Sequence, residues 1–374
     1  MKIILVSSTD PYSKSSSGAE KLVLGLYHNL KNKHEVKLCY PKDKSSDKNP
    51  DFKIFKIKNK IFRKFLFDYV NPFNIFAFYK VLKTYKPDVV HFHNFYGISS
   101  FLAYVSSNLR FKTVITAHDY WPFCYWSTMK RNNINCQYCF NRKISNIGDI
   151  FHGIHTSINY LFLKKCIFVA PSRFMESELK KNNLKAIYIP NGINIATNIT
   201  TYKKIILWAG RIVFDKGLQY VLPYINEFLN IHKDWNMIIL GDGSLKNELS
   251  NKYKGVNFLS YQDPNIFYKK ASIFINSSIW FENLSYSILE AMNYGVVPIV
   301  SKIGGNIDII RDGKNGFLYN HKNPKTIIGT LEKIITNGSI KKIGFEARQT
   351  IKEKFILDKC IKNYENLYNK LAYN

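Results

Sequence analysis

The fold is decided by one stretch of the sequence, ASIFINSSIWFENLSYSILEAMNYGVVPIVS (residues 271–301). It opens with a short apolar run at Ile273–Asn276, passes through a helical pattern at Ser287–Tyr294, and closes in a second apolar run at Val297–Val300. Neither run alternates between apolar and polar residues, which is typical of strands buried on both faces of a parallel sheet. Strand, helix and strand in this order predict a βαβ unit.

The same alternation continues on both sides of this unit. Helical spacing recurs at Glu20–Leu30 and Leu218–Ile231, and apolar runs recur between the helical segments. The further predicted strands are Ile3–Val6, Val89–His91, Lys112–Thr116, Cys166–Ala170, Lys204–Ala209 and Met237–Leu240. The chain is therefore predicted to be an α/β protein with parallel sheets.

A turn cluster, Ile189-Pro190-Asn191-Gly192, interrupts the alternation near the middle of the chain. Polar residues follow it until the next predicted strand begins at Lys204. A chain of 374 residues is long enough for two domains of ordinary size. We therefore predict one domain at residues 1–188 and a second at residues 189–354.

The composition indicates a globular protein with a strong positive charge. Hydrophobic residues make up 46% of the chain, which is too apolar for a disordered protein, and 54 basic against 27 acidic residues give a net charge of +27. This charge favours an acidic partner such as nucleic acid, anionic lipid or a phosphorylated small molecule, although the codon bias of an AT-rich genome explains it as well. No apolar run reaches the length of a transmembrane helix, and the first residues lack the features of a signal peptide. With six cysteines in so long a chain, we expect a reduced, cytoplasmic protein.

Loops that follow predicted strands are the first places to look for a ligand, because parallel sheets bind ligands at the carboxyl ends of their strands. After the strand that ends at Ala209, the loop Gly210–Gly217 contains Arg211 and Lys216 and then opens a helix. A guanidinium, an ammonium and the N–H groups of a helix start can together hold phosphate oxygens, but two solvated surface cations would look the same in sequence. Glycine-rich turns follow other strands at Gly241-Asp242-Gly243 and Gly304-Gly305. Neither a Walker A motif nor GxGxxG is present, which disfavours ordinary P-loop and dinucleotide-binding proteins.

Two carboxylates lie eight residues apart in the stretch quoted first. Glu282 falls in the loop after a strand, and Glu290 falls inside the following helix between Leu289 and Ala291. Carboxylates in a pocket can accept hydrogen bonds from sugar hydroxyls. A solvated helix residue is the plainer interpretation of Glu290, but its apolar neighbours favour a buried position in which a carboxylate needs a partner.

In their order and spacing, these motifs resemble the retaining glycosyltransferases called group 1, or family 4, of the GT-B class. The resemblance is dense over residues 187–320, where it also includes Pro190-Asn191-Gly192, Gly295, Asp308 and Asp312-Gly313-x-x-Gly316. It is thinner over residues 1–186, where it consists of Gly18-Ala19-Glu20, Pro87-Asp88-Val89-Val90-His91-x-His93 and Thr116-x-His118-Asp119.

The resemblance implies two doubly wound, Rossmann-like domains that face each other across a cleft. The second domain would bind a nucleotide diphosphate sugar (NDP-sugar), and the first, completed by a C-terminal helix at 355–374, would bind a saccharide or lipid-linked acceptor. The implied reaction transfers the sugar to a hydroxyl with retention of configuration, in the assembly of a cell-surface polysaccharide, glycolipid or glycoprotein. No cofactor and no divalent metal are expected, because cations and helix ends neutralise the diphosphate in this class.

The resemblance also implies roles for individual residues. Arg211 and Lys216 would neutralise the donor diphosphate, and Glu290 would accept hydrogen bonds from the ribose. Glu282 and His118 would act at the reacting sugar, with no side chain assigned as nucleophile. The remaining predicted contacts with the donor come from Gly18, Gly210, Asn283, Leu284, Ser285 and Tyr286.

Three positions depart from the common pattern of the family. The first loop has Ser17-Gly18 where many relatives have two glycines, and Asp308 stands where glutamate is common. Glu282-Asn283-Leu284-Ser285 replaces the usual Glu-Gly-Phe-Gly, which changes the wall of the predicted donor pocket and the choice of sugar.

Two other features suggest additional sites. Cys124, Cys136 and Cys139, with His152 or His155 nearby, are compatible with zinc binding, but the spacing of a four-ligand site is incomplete and an acceptor loop is the alternative. Residues 42–86 hold 12 basic and four acidic residues interleaved with phenylalanines. This segment either contacts an anionic membrane from the cytoplasmic side or packs its aromatic side chains into the core.

Two other classes of protein compete with the glycosyltransferase interpretation. A nucleotide-sugar epimerase shares the architecture, but the Arg211–Lys216 and Glu282–Glu290 spacings argue against it. A nucleic-acid-binding protein would suit the net charge, but no helix-turn-helix, RRM or zinc-finger pattern is present, and no nucleic-acid partner is expected.

Overall fold

The computed structural model describes residues 1–13, 18–56, 69–124, 127–131, 134–135 and 147–373. Within these ranges, the side chains at 130–131, 134–135, 147–149 and 151–152 are left out of the description. The chain divides into two compact units, one formed by Met1–Gly192 with Leu357–Asn374 and the other by Ile193–Ile356. The boundary expected after residue 188 lies four residues before the division at Gly192.

The first unit is built on a parallel sheet of seven strands. In chain order these are β1 (Lys2–Ser7), β2 (Glu35–Tyr40), β3 (Phe52–Lys53), β4 (Val89–His93), β5 (Lys112–Thr116), β8 (Ile167–Ala170) and β9 (Ala186–Tyr188). Their spatial order is β3-β2-β1-β4-β5-β8-β9, and every neighbouring pair is parallel. A separate antiparallel pair is formed by β6 (Lys130–Arg131) and β7 (Ile134–Asn135).

Helices connect the strands of this unit. They are α1 (Gly18–Leu30), α2 (Pro72–Tyr85), α3 (Phe101–Asn108), α4 (Ile147–Leu163), α5 (Arg173–Lys181) and the C-terminal α13 (Leu357–Tyr373). One core cluster contains apolar residues of β1 and α1 together with Tyr364 and Tyr368 of α13. Tyr368 is also hydrogen-bonded to His91 at 2.6 Å, and Tyr364 to Thr116 at 2.9 Å. These contacts place the last helix of the chain in the unit formed by its first half.

The second unit repeats the same topology. Its strands are β10 (Lys203–Ala209), β11 (Asn236–Leu240), β12 (Asn257–Leu259), β13 (Ala271–Asn276), β14 (Val297–Ser301) and β15 (Phe317–Tyr319). They form one parallel sheet in the order β12-β11-β10-β13-β14-β15. Its helices are α6 (Leu218–Ile231), α7 (Lys246–Lys252), α8 (Pro264–Tyr268), α9 (Tyr286–Asn293), α10 (Asn306–Ile309), α11 (Thr326–Thr336) and α12 (Ile340–Lys354).

Apolar clusters cover both faces of the second sheet. One includes Ile206, Ile239 and Ile273, and the other includes Leu207 and Phe274 from the same strands. Side chains alternate between the two faces of a strand, so a sheet covered on both sides needs apolar residues at successive positions. This arrangement confirms the predicted α/β class with two parallel sheets and explains the continuous apolar runs.

None of the helices in the described residues is both long and apolar enough to cross a membrane.

Candidate active site

The strand order reverses at the centre of the second sheet, between β10 and β13. The chain proceeds from β10 to β11 on one side of the sheet and later from β13 to β14 on the other side. The loops after β10 and β13 therefore separate at the carboxyl edge, and such a switch point is where open α/β sheets bind ligands. The first of these loops carries Arg211 and Lys216, and the second carries Glu282.

Lys216 and Glu282 form an ion pair at this switch point. Lys216 Nζ lies 2.5 Å from Glu282 Oε1, and Ser278 Oγ donates to the same oxygen at 2.6 Å. Lys216 Nζ also lies 5.6 Å from the centre of the Trp280 ring, within range of a cation–π contact. The structure thus brings together two predicted site residues that are 66 positions apart in the chain.

Glu282 is almost completely buried, with 6% of its surface exposed. Burial alone raises the pKa of a carboxyl group, but the charge of Lys216 and the hydrogen bonds from Lys216 and Ser278 outweigh it, and the pKa of Glu282 is lowered. Glu282 is therefore ionised at neutral pH. The result is a fixed negative charge beside a cation whose remaining N–H groups can donate to a ligand.

Backbone contacts hold the loop of Glu282 in place. The N–H of Gly305, after β14, donates to the carbonyl oxygen of Glu282 at 2.6 Å. Gly304 has φ +57°, and a Cβ at this position would lie 2.6 Å from the same carbonyl oxygen. The Gly304-Gly305 pair predicted as a ligand loop therefore has a structural role, because only glycine lets the two loops approach so closely.

Gly217 controls the approach of the Lys216 loop in the same way. Gly217 has φ +66°, and a Cβ there would lie 2.1 Å from the carbonyl oxygen of Ser277. Ser277 Oγ donates to the carbonyl oxygen of Lys216 at 2.7 Å and accepts from Trp208 Nε1 at 2.9 Å. The N–H of Ile279 also donates to the carbonyl oxygen of Asp215 at 3.0 Å, so both a side chain and the backbone join the loops after β10 and β13.

We expect Gly217→Ala to lower the free energy of unfolding by about 2–4 kcal/mol, because it adds both a left-handed strain and a clash with a backbone oxygen. Chemical denaturation measures this difference. Gly329→Ala is the matched control, since Gly329 lies in α11 with open space around it and alanine is the better helix former. Equal stability of Gly217→Ala and the unsubstituted protein would show that the loops do not need glycine.

The other predicted residues of the second unit lie along the same edge. Arg211 is exposed in the loop that leads to Lys216, and Gly210 precedes it. Asn283, Leu284 and Ser285 are buried, and Tyr286 begins α9. The first N–H groups of this helix have no partner within the helix itself, so this end of α9 favours an anion.

Glu290 lies on the second turn of α9 and is only partly buried. Its neighbours Leu289 and Ala291 are fully buried, so the apolar flanks correctly indicate a buried helix but overstate the burial of Glu290 itself. Burial raises the pKa of Tyr268, and the charge of Glu290 raises it further. Glu290 therefore lies near Tyr268, on the side of α9 that faces α8.

His118 follows β5 in the first unit and forms a pair with His93. Nδ1 of His93 lies 3.1 Å from Nε2 of His118, and the two rings are nearly parallel, with 26° between their planes. Burial lowers the pKa of His118 to about 4, although the charge of Glu20 acts in the opposite direction. His118 is therefore neutral at pH 7. It lines a pocket with Asn94, Tyr96, Asp119 and Trp121.

Gly18 is the first residue of α1, and residues 14–17 lie outside the described part of the chain. Ser17, where the sequence departs from the common pattern of the family, is one of them. Glu20, in the first turn of α1, accepts a hydrogen bond from Thr9 after β1. This bond fixes the start of α1 against the end of β1.

Several residues of the two sites were not assigned by the sequence analysis. Ser278 and Trp280 contact the Lys216–Glu282 pair, and both lie in the loop after β13, which is the signal that could have found them. His93 belongs to one of the motifs of the resemblance but was given no role. It ends β4, and the parallel pairing of β4 with β5 brings it to His118.

The residues considered as zinc ligands lie mostly outside the described part of the chain. Cys136 and Cys139 are not among the described residues, and Cys124 is buried. His155 is hydrogen-bonded to Tyr69 at 2.5 Å and to the carbonyl oxygen of Trp121 at 2.7 Å. In the described part of the chain, no group of three His, Cys, Asp or Glu side chains is arranged to hold a metal ion.

Two parallel sheets of this topology define an α/β protein with the fold of the GT-B class. The profile described as "Glycosyl transferases group 1" matches residues 193–354, and the profile "Glycosyltransferase Family 4" matches residues 16–197. The chain belongs to this glycosyltransferase family.

Relatives of known sequence agree with this assignment. An uncharacterized glycosyltransferase of Methanocaldococcus jannaschii, MJ1069, is 25% identical over 362 residues, covering 86% of this chain and 88% of the relative. The UDP-Gal:alpha-D-GlcNAc-diphosphoundecaprenol alpha-1,3-galactosyltransferase of Escherichia coli is 26% identical over 328 residues, 80% of each chain. Two other relatives are matched over only about half of their own length. The chain covers 45% of a second Methanocaldococcus jannaschii glycosyltransferase and 49% of a Bacillus subtilis spore coat protein.

Solved structures share the fold over nearly the whole chain. Sucrose-phosphate synthase from Thermosynechococcus elongatus superposes with a TM-score of 0.75 at 16% identity, covering 99% of both chains. Anabaena HepE in complex with UDP-glucose gives a TM-score of 0.71 at 14% identity, covering 99% of this chain and 100% of HepE. At these identities the likeness concerns the fold alone.

Proposed function

We propose that this protein transfers a glycosyl group from an NDP-sugar to a hydroxyl of an acceptor, with retention of configuration. The observation that supports the proposal best is the ion pair of Lys216 with the buried Glu282 at the switch point of the second sheet. A site for a sugar diphosphate needs cations for the phosphates and a carboxylate for the sugar hydroxyls, and these lie side by side here.

The proposed role of the cations is to stabilise the leaving group. As the bond between sugar and diphosphate breaks, negative charge develops on the departing phosphate and the sugar becomes oxocarbenium-like. One N–H of Lys216 is directed to Glu282, and the others remain available for a phosphate oxygen. Arg211, exposed in the same loop, and the N–H groups of Asn283–Tyr286 would complete the anion site.

The proposal assigns no side chain as nucleophile. The departing phosphate would take the proton of the acceptor hydroxyl, and the ionised Glu282 would stabilise the positive charge of the sugar. The roles implied for His118 and Gly18, which both lie in the first unit, stay predictions. Because the pKa of His118 is about 4, its neutral ring can donate or accept a hydrogen bond but is not an acid at pH 7.

For the substrates, we propose a UDP-hexose donor and a saccharide acceptor carried on a lipid. The names of the Escherichia coli galactosyltransferase and of the HepE complex both contain a UDP-sugar, and the first also contains a diphosphoundecaprenol acceptor. A role in polysaccharide, glycolipid or glycoprotein assembly at the cytoplasmic face of a membrane follows from such an acceptor. Independence from cofactors and divalent metals stays a prediction, as does the absence of a nucleic-acid partner.

A donor screen by thermal shift tests the proposal. Each ligand that binds the folded state raises the midpoint of unfolding, so UDP-sugars are expected to raise it more than GDP- or ADP-sugars. Incubation of the best donor without an acceptor then separates the epimerase alternative, which would convert the sugar into its epimer. A protein that binds nucleic acid in a salt-sensitive manner and responds to no NDP-sugar would contradict the proposal.

Glu290→Ala is expected to weaken the affinity for the donor by about tenfold or more, because a charged acceptor of ribose hydrogen bonds is lost. Turnover at saturating donor should change less, since this contact is made before and during the reaction alike. Calorimetric titration of the donor measures the affinity. Glu227→Ala, an exposed glutamate of α6, is the control. Unchanged donor affinity in Glu290→Ala would remove Glu290 from the proposed site.

A further inference from the structure

An exposed side of α2 carries aromatic side chains and cations together. Phe73 and Phe76 are 72% and 75% exposed, and Tyr79 is 44% exposed. They are spaced three residues apart, so they share one side of the helix, which Lys80 and Lys83 extend by another turn. α2 contains no acidic residue.

The opposite side of α2 holds the helix firmly in the first unit. Asn74, Phe78 and Leu82 are fully buried, and the ring of Phe78 lies 5.8 Å from that of Phe92. Asn71 caps the first turn by accepting from the N–H of Asn74 at 3.3 Å. Of the two interpretations of residues 42–86, packing of the aromatic side chains into the core is therefore correct for Phe78 but not for Phe73 or Phe76. Phe62, Phe65 and Phe67 lie outside the described residues.

A further aromatic residue is fixed beside the start of α2. The side-chain amide of Asn74 accepts from the N–H of Phe55 and donates to its carbonyl oxygen, both at 2.8 Å. Phe55 is 55% exposed, whereas its neighbour Ile54 is buried. The buried asparagine thus fixes the backbone of Phe55 beside the first turn of α2, in which Phe73 also lies.

Cations lie directly against the exposed rings. Lys53 Nζ is 5.7 Å from the centre of the Phe55 ring, and Lys83 Nζ is 5.7 Å from that of Tyr79. The adjacent acidic residue, Asp51, is paired with Lys37 at 3.3 Å. The local charge of this surface is therefore positive.

We propose that this surface, formed by Phe55, Phe73, Phe76, Tyr79, Lys80 and Lys83 and called here the α2 face, binds an anionic lipid bilayer. Aromatic rings insert at the level of lipid headgroups, and neighbouring lysines contact the anionic phosphates. A second copy of the chain fits this face less well, because a symmetric contact would bring its lysines against the same lysines of the partner. The inference goes beyond the proposed function, since vesicle binding does not require sugar transfer.

Flotation with vesicles tests the proposal. The full chain is expected to float with vesicles of phosphatidylcholine and phosphatidylglycerol, but only weakly with phosphatidylcholine alone. Phe73→Ser/Phe76→Ser and Lys80→Glu/Lys83→Glu should each reduce the floated fraction by about tenfold. All four positions are exposed, so the variants should fold normally, which circular dichroism checks.

Matched controls change similar residues elsewhere on the surface. Tyr261→Ser/Phe345→Ser removes two rings that are 82% and 59% exposed in the second unit, and Lys352→Glu/Lys354→Glu reverses two exposed charges of α12. Both controls should float like the unsubstituted protein. Failure of the unsubstituted protein to float overturns the proposal, as does unchanged flotation of Phe73→Ser/Phe76→Ser. Self-association that this variant abolishes, without flotation of the unsubstituted protein, would assign the face to a second copy instead.

Discussion

Lys216→Ala is expected to reduce turnover at saturating donor by at least about 100-fold. Removing one preorganised donor to a developing negative charge costs that much in other enzymes, and Lys216 also neutralises the buried carboxylate of Glu282. Release of the nucleoside diphosphate from the donor measures the rate. Lys204→Ala is the control, because Lys204 lies near the amino end of β10 and forms only an exposed pair with Asp234.

A second variant separates catalysis from folding. Without Lys216, burial raises the pKa of Glu282 and the carboxylate lacks its counter-ion, which destabilises the protein. Glu282→Gln in the Lys216→Ala background removes that buried charge and should restore stability without restoring turnover. Recovery of turnover in the double variant would show that Lys216 serves only to neutralise Glu282. Turnover of Lys216→Ala close to that of the unsubstituted protein would contradict the proposed role outright.

The second large effect is a loss of stability in acid. Burial lowers the pKa of His91 and His93 well below the usual value and that of His118 to about 4. Below about pH 6.5, each of these rings binds a proton when the protein unfolds, because it is neutral in the folded state. Each ring therefore lowers the free energy of unfolding by a growing amount as the pH falls from about 6.5 to the pKa of the ring in the folded state. Asp119 acts in the opposite direction, because burial raises its pKa to about 6 and it binds a proton in the folded state first.

For these four groups together, the net uptake on unfolding is about two protons between pH 6 and 4, and His28, whose pKa is also lowered by burial, adds to it. The free energy of unfolding should then fall by roughly 3 kcal/mol per pH unit, a large share of the stability of an ordinary domain. Urea unfolding at pH 7, 6 and 5 measures the slope. His93→Gln should make the free energy of unfolding depend less steeply on pH, by the equivalent of about one proton, whatever the stability of the variant at pH 7. A free energy that stays constant from pH 7 to pH 5 would contradict the buried, neutral state of these histidines.

The central strands and the helices between them could be predicted because they are buried on two sides. Continuous apolar runs such as Ile3–Val6 and Val297–Val300 follow directly from that burial. The strands that the sequence analysis missed lie towards the sheet margins or are very short: β2, β3, β6, β7, β9, β12 and β15. β2 reads Glu-Val-Lys-Leu-Cys-Tyr, which mixes charges with apolar residues, and β12 and β15 have three residues each. Such segments carry too little hydrophobic pattern to separate them from loops.

The candidate site was predictable in part for a different reason. A ligand loop after a parallel strand is a rule of topology, so Arg211, Lys216 and Glu282 could be selected from their positions after β10 and β13. Ser278 and Trp280 lie in the same loop as Glu282, but their contacts with Glu282 and Lys216 depend on the path of that loop, which its position after β13 does not determine. The same holds for His93, whose partner is set by the pairing of β4 with β5.

The sequence by itself determined the α/β class, the parallel strands and the order of the motifs, because each depends on residues close together in the chain. Only the tertiary structure decided which distant side chains meet: that Lys216 pairs with a buried Glu282, that His93 contacts His118, and that Phe73 and Phe76 stay exposed while Phe78 is buried. The physical reason is that local periodicity reports which side of an element is apolar, whereas burial and charge pairing depend on the neighbours that the fold supplies.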